Sequence, residues 1–133
     1  MDVDFNNTVV LNPSYPNVYN GGSRCSYPVY RQSRHICQLR IDFLAFSLAQ
    51  PSGDGICATD FFTVEGGVNE IPKICGENTG QHLYVEVARK TRIGLPISII
   101  VSTTGSFVFN RRWQIRVTQI KCLSKFRGLI SKF

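Results

Sequence analysis

Five cysteines and two histidines carry the most reactive side chains of this 133-residue sequence. Thiolates and imidazoles hold zinc when they recur at short, paired spacings. Cys25, Cys37, Cys57, Cys75 and Cys122 contain no Cys-x-x-Cys pair, and His35-Ile36-Cys37 is the nearest approach to one. No metal ligands are therefore assigned. A histidine base needs a carboxylate to orient it, and His82, after Gly80-Gln81, has none nearby in sequence. No serine sits in a Gly-x-Ser-x-Gly elbow, and the glycines form no phosphate-cradling loop ahead of a helix. The sequence predicts no catalytic residue, no cofactor and no nucleic-acid partner.

The cysteines suit an oxidising compartment, where small domains offset thin cores with disulfides. Asn6-Asn7-Thr8 adds a glycosylation acceptor at Asn6. Met1-Asp2-Val3-Asp4, in contrast, begins an acidic, polar segment without the basic and apolar parts of a secretory signal. An exported protein whose own N-terminus lies upstream of Met1 reconciles the two.

The elements that must position any site are strands. The first 24 residues, rich in Asn, Pro, Gly, Ser and Tyr, read as irregular chain. Tyr27-Pro28-Val29-Tyr30 follows, with Pro28 placing it at an edge or bulge. From Ile36 to Leu48 the pattern alternates, Leu39, Ile41, Phe43 and Ala45 on one side and Gln38, Arg40 and Asp42 on the other. A turn at Gln32-Ser33-Arg34 would set Cys37 opposite a residue near 30 rather than opposite Cys25. Phe61–Val64 turns through Gly66-Gly67 towards Lys73-Ile74-Cys75. Leu83–Val87 alternates, Ile97–Val101 suits a strand buried on both faces, and Trp113, Ile115 and Val117 alternate with Arg112, Gln114 and Arg116. Short strands with frequent turns predict an all-β sandwich.

Charge divides the chain. Residues 1–86 hold nine acidic and five basic side chains, whereas 87–133 hold ten basic ones and no acidic one. Arg111, Arg112 and Arg116, with Arg89, Lys90 and Arg92, form a candidate surface for an anionic glycan, since guanidinium forks fit sulfate oxygens; the alternative is a solvated basic face. In the terminal segment Leu123, Phe126, Ile130 and Phe133 form an apolar stripe among cations, a membrane-surface pattern. The segment is too short to hold a helix alone, so a frayed tail is the expectation and a membrane partner is not.

A longer pattern overlies these readings. Asn12-Pro13-Ser14-Tyr15-Pro16-Asn17-Val18-Tyr19 precedes Cys25-Ser26-Tyr27-Pro28-Val29, then Leu39–Leu48, Cys57-Ala58-Thr59-Asp60-Phe61-Phe62-Thr63-Val64 and Ile74-Cys75-Gly76. This order resembles the CUB domain, with segments around Cys37 and Gly76–His82 similar to secreted arthropod members. The resemblance implies a jelly-roll-like β-sandwich of two antiparallel sheets over residues 12–121, with 1–11 an N-terminal extension and 122–133 a basic tail. It also implies a Cys57–Cys75 disulfide. Closing that hairpin is worth about 3 kcal/mol by chain entropy.

Cys25 matches a family cysteine whose partner would fall just before Met1, and the pairing of Cys25, Cys37 and Cys122 stays open. Many CUB domains bind calcium near one end through a tyrosine, a glutamate and two aspartates. Tyr19 and Asp60 match such positions, but Ala49 replaces the glutamate and Thr103, with Ser106 beyond, the second aspartate. One carboxylate is too few for calcium unless Asp54 reaches in. The expectation is a secreted, non-catalytic module that binds a protein or glycan without calcium, or a regulatory domain of a larger secreted enzyme such as a protease.

Overall fold

A computed structural model describes residues 7–87, 95–105 and 109–122. Seven strands form in chain order: β1 (Asn7–Leu11), β2 (Arg24–Val29), β3 (Ile36–Ser47), β4 (Phe61–Glu65), β5 (His82–Glu86), β6 (Ile97–Ser102) and β7 (Arg112–Lys121). They make a four-stranded sheet ordered β1-β7-β3-β5 and a three-stranded sheet ordered β2-β6-β4. All these pairings are antiparallel. The two inner faces enclose one core, in which Phe43, Phe46 and Phe62 meet with ring centroids 4.5–6.0 Å apart. Edge-to-face aromatic contacts at such distances add to the burial of apolar area. Trp113 is fully buried beside them and donates from Nε1 to the Tyr27 hydroxyl at 3.3 Å.

The β-branched run Ile97–Val101 is the central strand of its sheet, with Ile97, Ile99, Ile100 and Val101 buried. β2 is that sheet's edge, where Pro28 has no outer ladder to interrupt. The opening of the chain is more regular than its composition suggests. β1 pairs in continuous register with β7, from Asn7↔Thr118 to Leu11↔Gln114.

Two further expectations need correction. β2 and β3 lie in different sheets, so Cys37 faces no residue near 30. Ala45 is not on the core side, because the register slips between Phe43 and Ala45. An irregularity of this kind turns the alternation over, so Ala45 pairs with Gln114 and Phe46 takes the inward place opposite Trp113.

Disulfides join Cys37 to Cys122 and Cys57 to Cys75, with Cα separations of 4.8 and 5.8 Å. Cys25 is in neither bridge. Asn6, the segment with Arg89, Lys90 and Arg92, Ser106 and the tail from Leu123 lie outside the described residues.

Candidate functional site

Four segments converge at one end of the sandwich: the chain after Tyr19, the approach to β4 at Asp60, the exit from β6 at Thr103-Thr104, and the entry to β7 at Arg111. Tyr19 and Arg111 are joined by backbone hydrogen bonds in both directions, at 2.6 and 3.0 Å. Asp60 and Arg111 are both completely buried. Arg111 meets the carboxylate as a fork, Nε to Oδ2 at 2.6 Å and Nη2 to Oδ1 at 3.1 Å. The backbone N–H groups of Ala49 and Thr104 donate to the same two oxygens at 2.9 and 3.3 Å. On its far side the guanidinium donates from Nη1 to the carbonyls of Asn20 (2.5 Å) and Phe109 (3.1 Å). A buried charge pair is tolerated when its remaining donors and acceptors are met in this way.

Gly21 belongs to the same arrangement. Its φ is +98°, and an added Cβ would lie 2.5 Å from the Thr104 carbonyl oxygen and 2.6 Å from Arg111 Nη1. Nearby, the Tyr19 hydroxyl is hydrogen-bonded to Ser23 Oγ, and its ring stands edge-on to Trp113 at 5.8 Å. Thr103 Oγ1 donates to the Ser23 carbonyl at 3.1 Å.

Calcium does not fit this residue set. The ion takes six to eight oxygen ligands, several of them carboxylate, whereas both Asp60 oxygens already accept N–H donors and a guanidinium holds the cationic place. Ala49 and Thr103 bring no carboxylate. Asp54 is turned into its own exposed loop, accepting from Ser52 Oγ and from the Ile56 N–H at 3.3 Å. Those hydrogen bonds, the hydroxyl's foremost, hold its carboxyl below the ordinary range. Among the described residues no group of three His, Cys, Asp or Glu side chains is placed to hold a metal.

Arg111 is thus a structural cation and not part of an exposed basic patch. The strand parity carries the signal for this: 111 has the same odd register as the inward residues Trp113, Ile115 and Val117. A buried arginine then requires a buried acid, and Asp60 is that acid.

Arg112 and Arg116 do face outward on β7. Arg116 Nη2 lies 3.6 Å from Asp42 Oδ2, and the same carboxylate receives Arg40 Nε at 3.1 and 3.2 Å. That hydrogen bonding to Asp42 is the main reason the Arg40 guanidinium holds its proton more firmly than usual. Arg40 also donates to the Tyr84 hydroxyl at 3.2 Å. The sequence places Arg40 outward but does not bring it to the arginines of β7; the β3–β7 register, which sets Asp42 against Arg116, does.

The two antiparallel sheets packed over one core define a β-sandwich. The chain belongs to the CUB family, whose model, described as CUB domain, matches residues 2–100. CUB domains are as a class non-catalytic interaction modules of larger proteins, and they and their disulfides typify extracellular proteins. Among solved structures, the CUB1-EGF-CUB2 domains of rat MASP-1 are 19% identical with a TM-score of 0.64, covering 85% of this chain and 37% of theirs. The corresponding human MASP-1/3 structure is 18% identical with a TM-score of 0.66, covering 86% and 40%. The MASP-1 CUB2 domain bound to Ca2+ is 19% identical with a TM-score of 0.62, covering 85% and 92%. This chain therefore spans well under half of the multidomain structures and nearly all of the single CUB domain. No curated protein matches the sequence.

Proposed function

We propose that the chain is an extracellular binding module that engages a protein or anionic glycan partner without calcium. The observation that carries this reading is the Asp60–Arg111 pair: a side-chain cation from within the fold neutralises the buried Asp60 carboxylate at the loop end. Organisation of that end then depends on no ion from solution. The test is a thermal melt and a partner-binding titration of the natively exported protein, in excess EDTA and again in millimolar calcium. Superimposable curves are expected; a calcium-dependent rise in melting temperature would overturn the reading.

A second reading, a regulatory domain within a larger secreted enzyme such as a protease, is favoured by the solved neighbours in which the matching region is one part of a longer chain. The secreted full-length product, sized from its native source, tests it directly. A product no longer than this chain would exclude it.

A further inference from the structure

The outward face of the four-stranded sheet is not uniformly polar. On its β1–β7 half, the exposed Val9 and Leu11 stand opposite Arg116 and Gln114. Arg112 continues that row into a groove of about 290 Å³, where Val18 lies on one side and Ser47, Thr79 and Asn110 supply hydroxyl and amide groups. Val9, Leu11 and Val18 are 44%, 41% and 39% exposed. Apolar and cationic side chains therefore alternate along one strip.

The electrostatics of this half are unbalanced. Arg116 and Arg40 share a single carboxylate, Asp42. Arg112 has no ion pair among the described residues. Of the remaining acids, Glu77 lines the same groove as Arg112 and is not within ion-pair distance of it, and Glu86 lies on β5; both are engaged locally, by the Thr79 hydroxyl and the Gln38 amide at 2.5 Å each. A ligand completing the strip must supply carboxylates or other anions, and also apolar groups to cover valine and leucine. A sulfated glycan brings only the first. Arginine is among the side chains enriched at protein–protein interfaces and at their hot spots.

We infer that the β1–β7 face is a docking surface for a protein segment carrying acidic residues among apolar ones, with Arg112 and Arg116 as anion anchors and Val9 and Leu11 as apolar contacts. This rests on the chain being a binding module and selects between the two partner classes named for it.

The test is selection of a random displayed peptide library on the full-length chain, followed by titration of the enriched peptides and, separately, of heparin. Enrichment of Asp and Glu beside Leu, Phe or Tyr is expected. Arg112→Glu and Arg116→Glu should each weaken those peptides about tenfold or more, Leu11→Ser should weaken them as well, and Arg24→Glu on the other sheet should change nothing. Melting curves of all four variants verify folding. Enriched peptides lacking acids, peptides indifferent to the β7 variants, or no enrichment would overturn the inference. Heparin binding lost on the same substitutions, without peptide binding, would also overturn it while leaving the binding-module reading intact.

Discussion

Among the described residues, Asp60 and Arg111 form the one ion pair whose two side chains are fully buried, and burial decides what its parts are worth. Removing one partner leaves the other charge uncompensated, at a cost of about 3–5 kcal/mol. Arg111→Met and Asp60→Asn are each expected to lose that much in urea unfolding, and the double variant less than the sum, because it leaves no lone charge. Additive losses would show that the pair is not coupled. Gly21→Ala should be costly on its own account, since its Cβ would strike Thr104 and Arg111 and its φ suits glycine. The exposed arginines behave differently: Arg40 and Arg116 share Asp42 at a solvated surface, where such pairs contribute little to stability. Their charge is available to a partner.

Among the elements, β2 and β3 show how far sequence pattern reaches. Alternation identified the inward residues Leu39, Ile41 and Phe43 and those of β7, because a half-buried strand imposes period two on its side chains. It failed at Ala45, where the slip in the β3–β7 register is set by the partner strand and leaves no mark in composition. It failed also at β1, whose short run follows polar residues and gains its order from pairing with β7. Arg111 was legible in parity but masked by the neighbouring Arg112, whose identical charge suggested a shared role. The half-buried Tyr27 of β2 offers a readout of this packing. Burial raises its hydroxyl from 10.0 to about 12, against a lowering by the Trp113 indole. The neutral phenol is therefore the form the fold favours; its full stability holds below pH 10 and is lost as pH rises through about 12. In an ultraviolet titration, Tyr27→Phe should remove a phenol step near pH 12. A titration curve unchanged near pH 12 would show that Tyr27 is open to solvent.

For the whole molecule, the two disulfides restrain very different lengths of chain. Cys57–Cys75 closes 18 residues around the β4 hairpin, whereas Cys37–Cys122 closes 85 and ties the start of β3 to the end of β7. Those strands are neighbours through ten paired positions, from Ile36↔Lys121 to Ser47↔Arg112, so the native state holds both ends together without the bridge. The bridge's effect then falls on the unfolded chain, which loses about 4.5 kcal/mol of conformational freedom for the long loop against about 3 for the short one. Cys37→Ala/Cys122→Ala should accordingly lower the urea midpoint more than Cys57→Ala/Cys75→Ala, with refolding slowed because β3 and β7 must find each other across the chain. Alkylation of the unreduced parent protein should label Cys25 and none of the four bridged cysteines. If the short bridge proves the more costly to remove, the restraint lies in native packing around Asp60 and Ile74, and the end of the sandwich that holds Arg111 is the part of the fold least able to stand without a covalent tie.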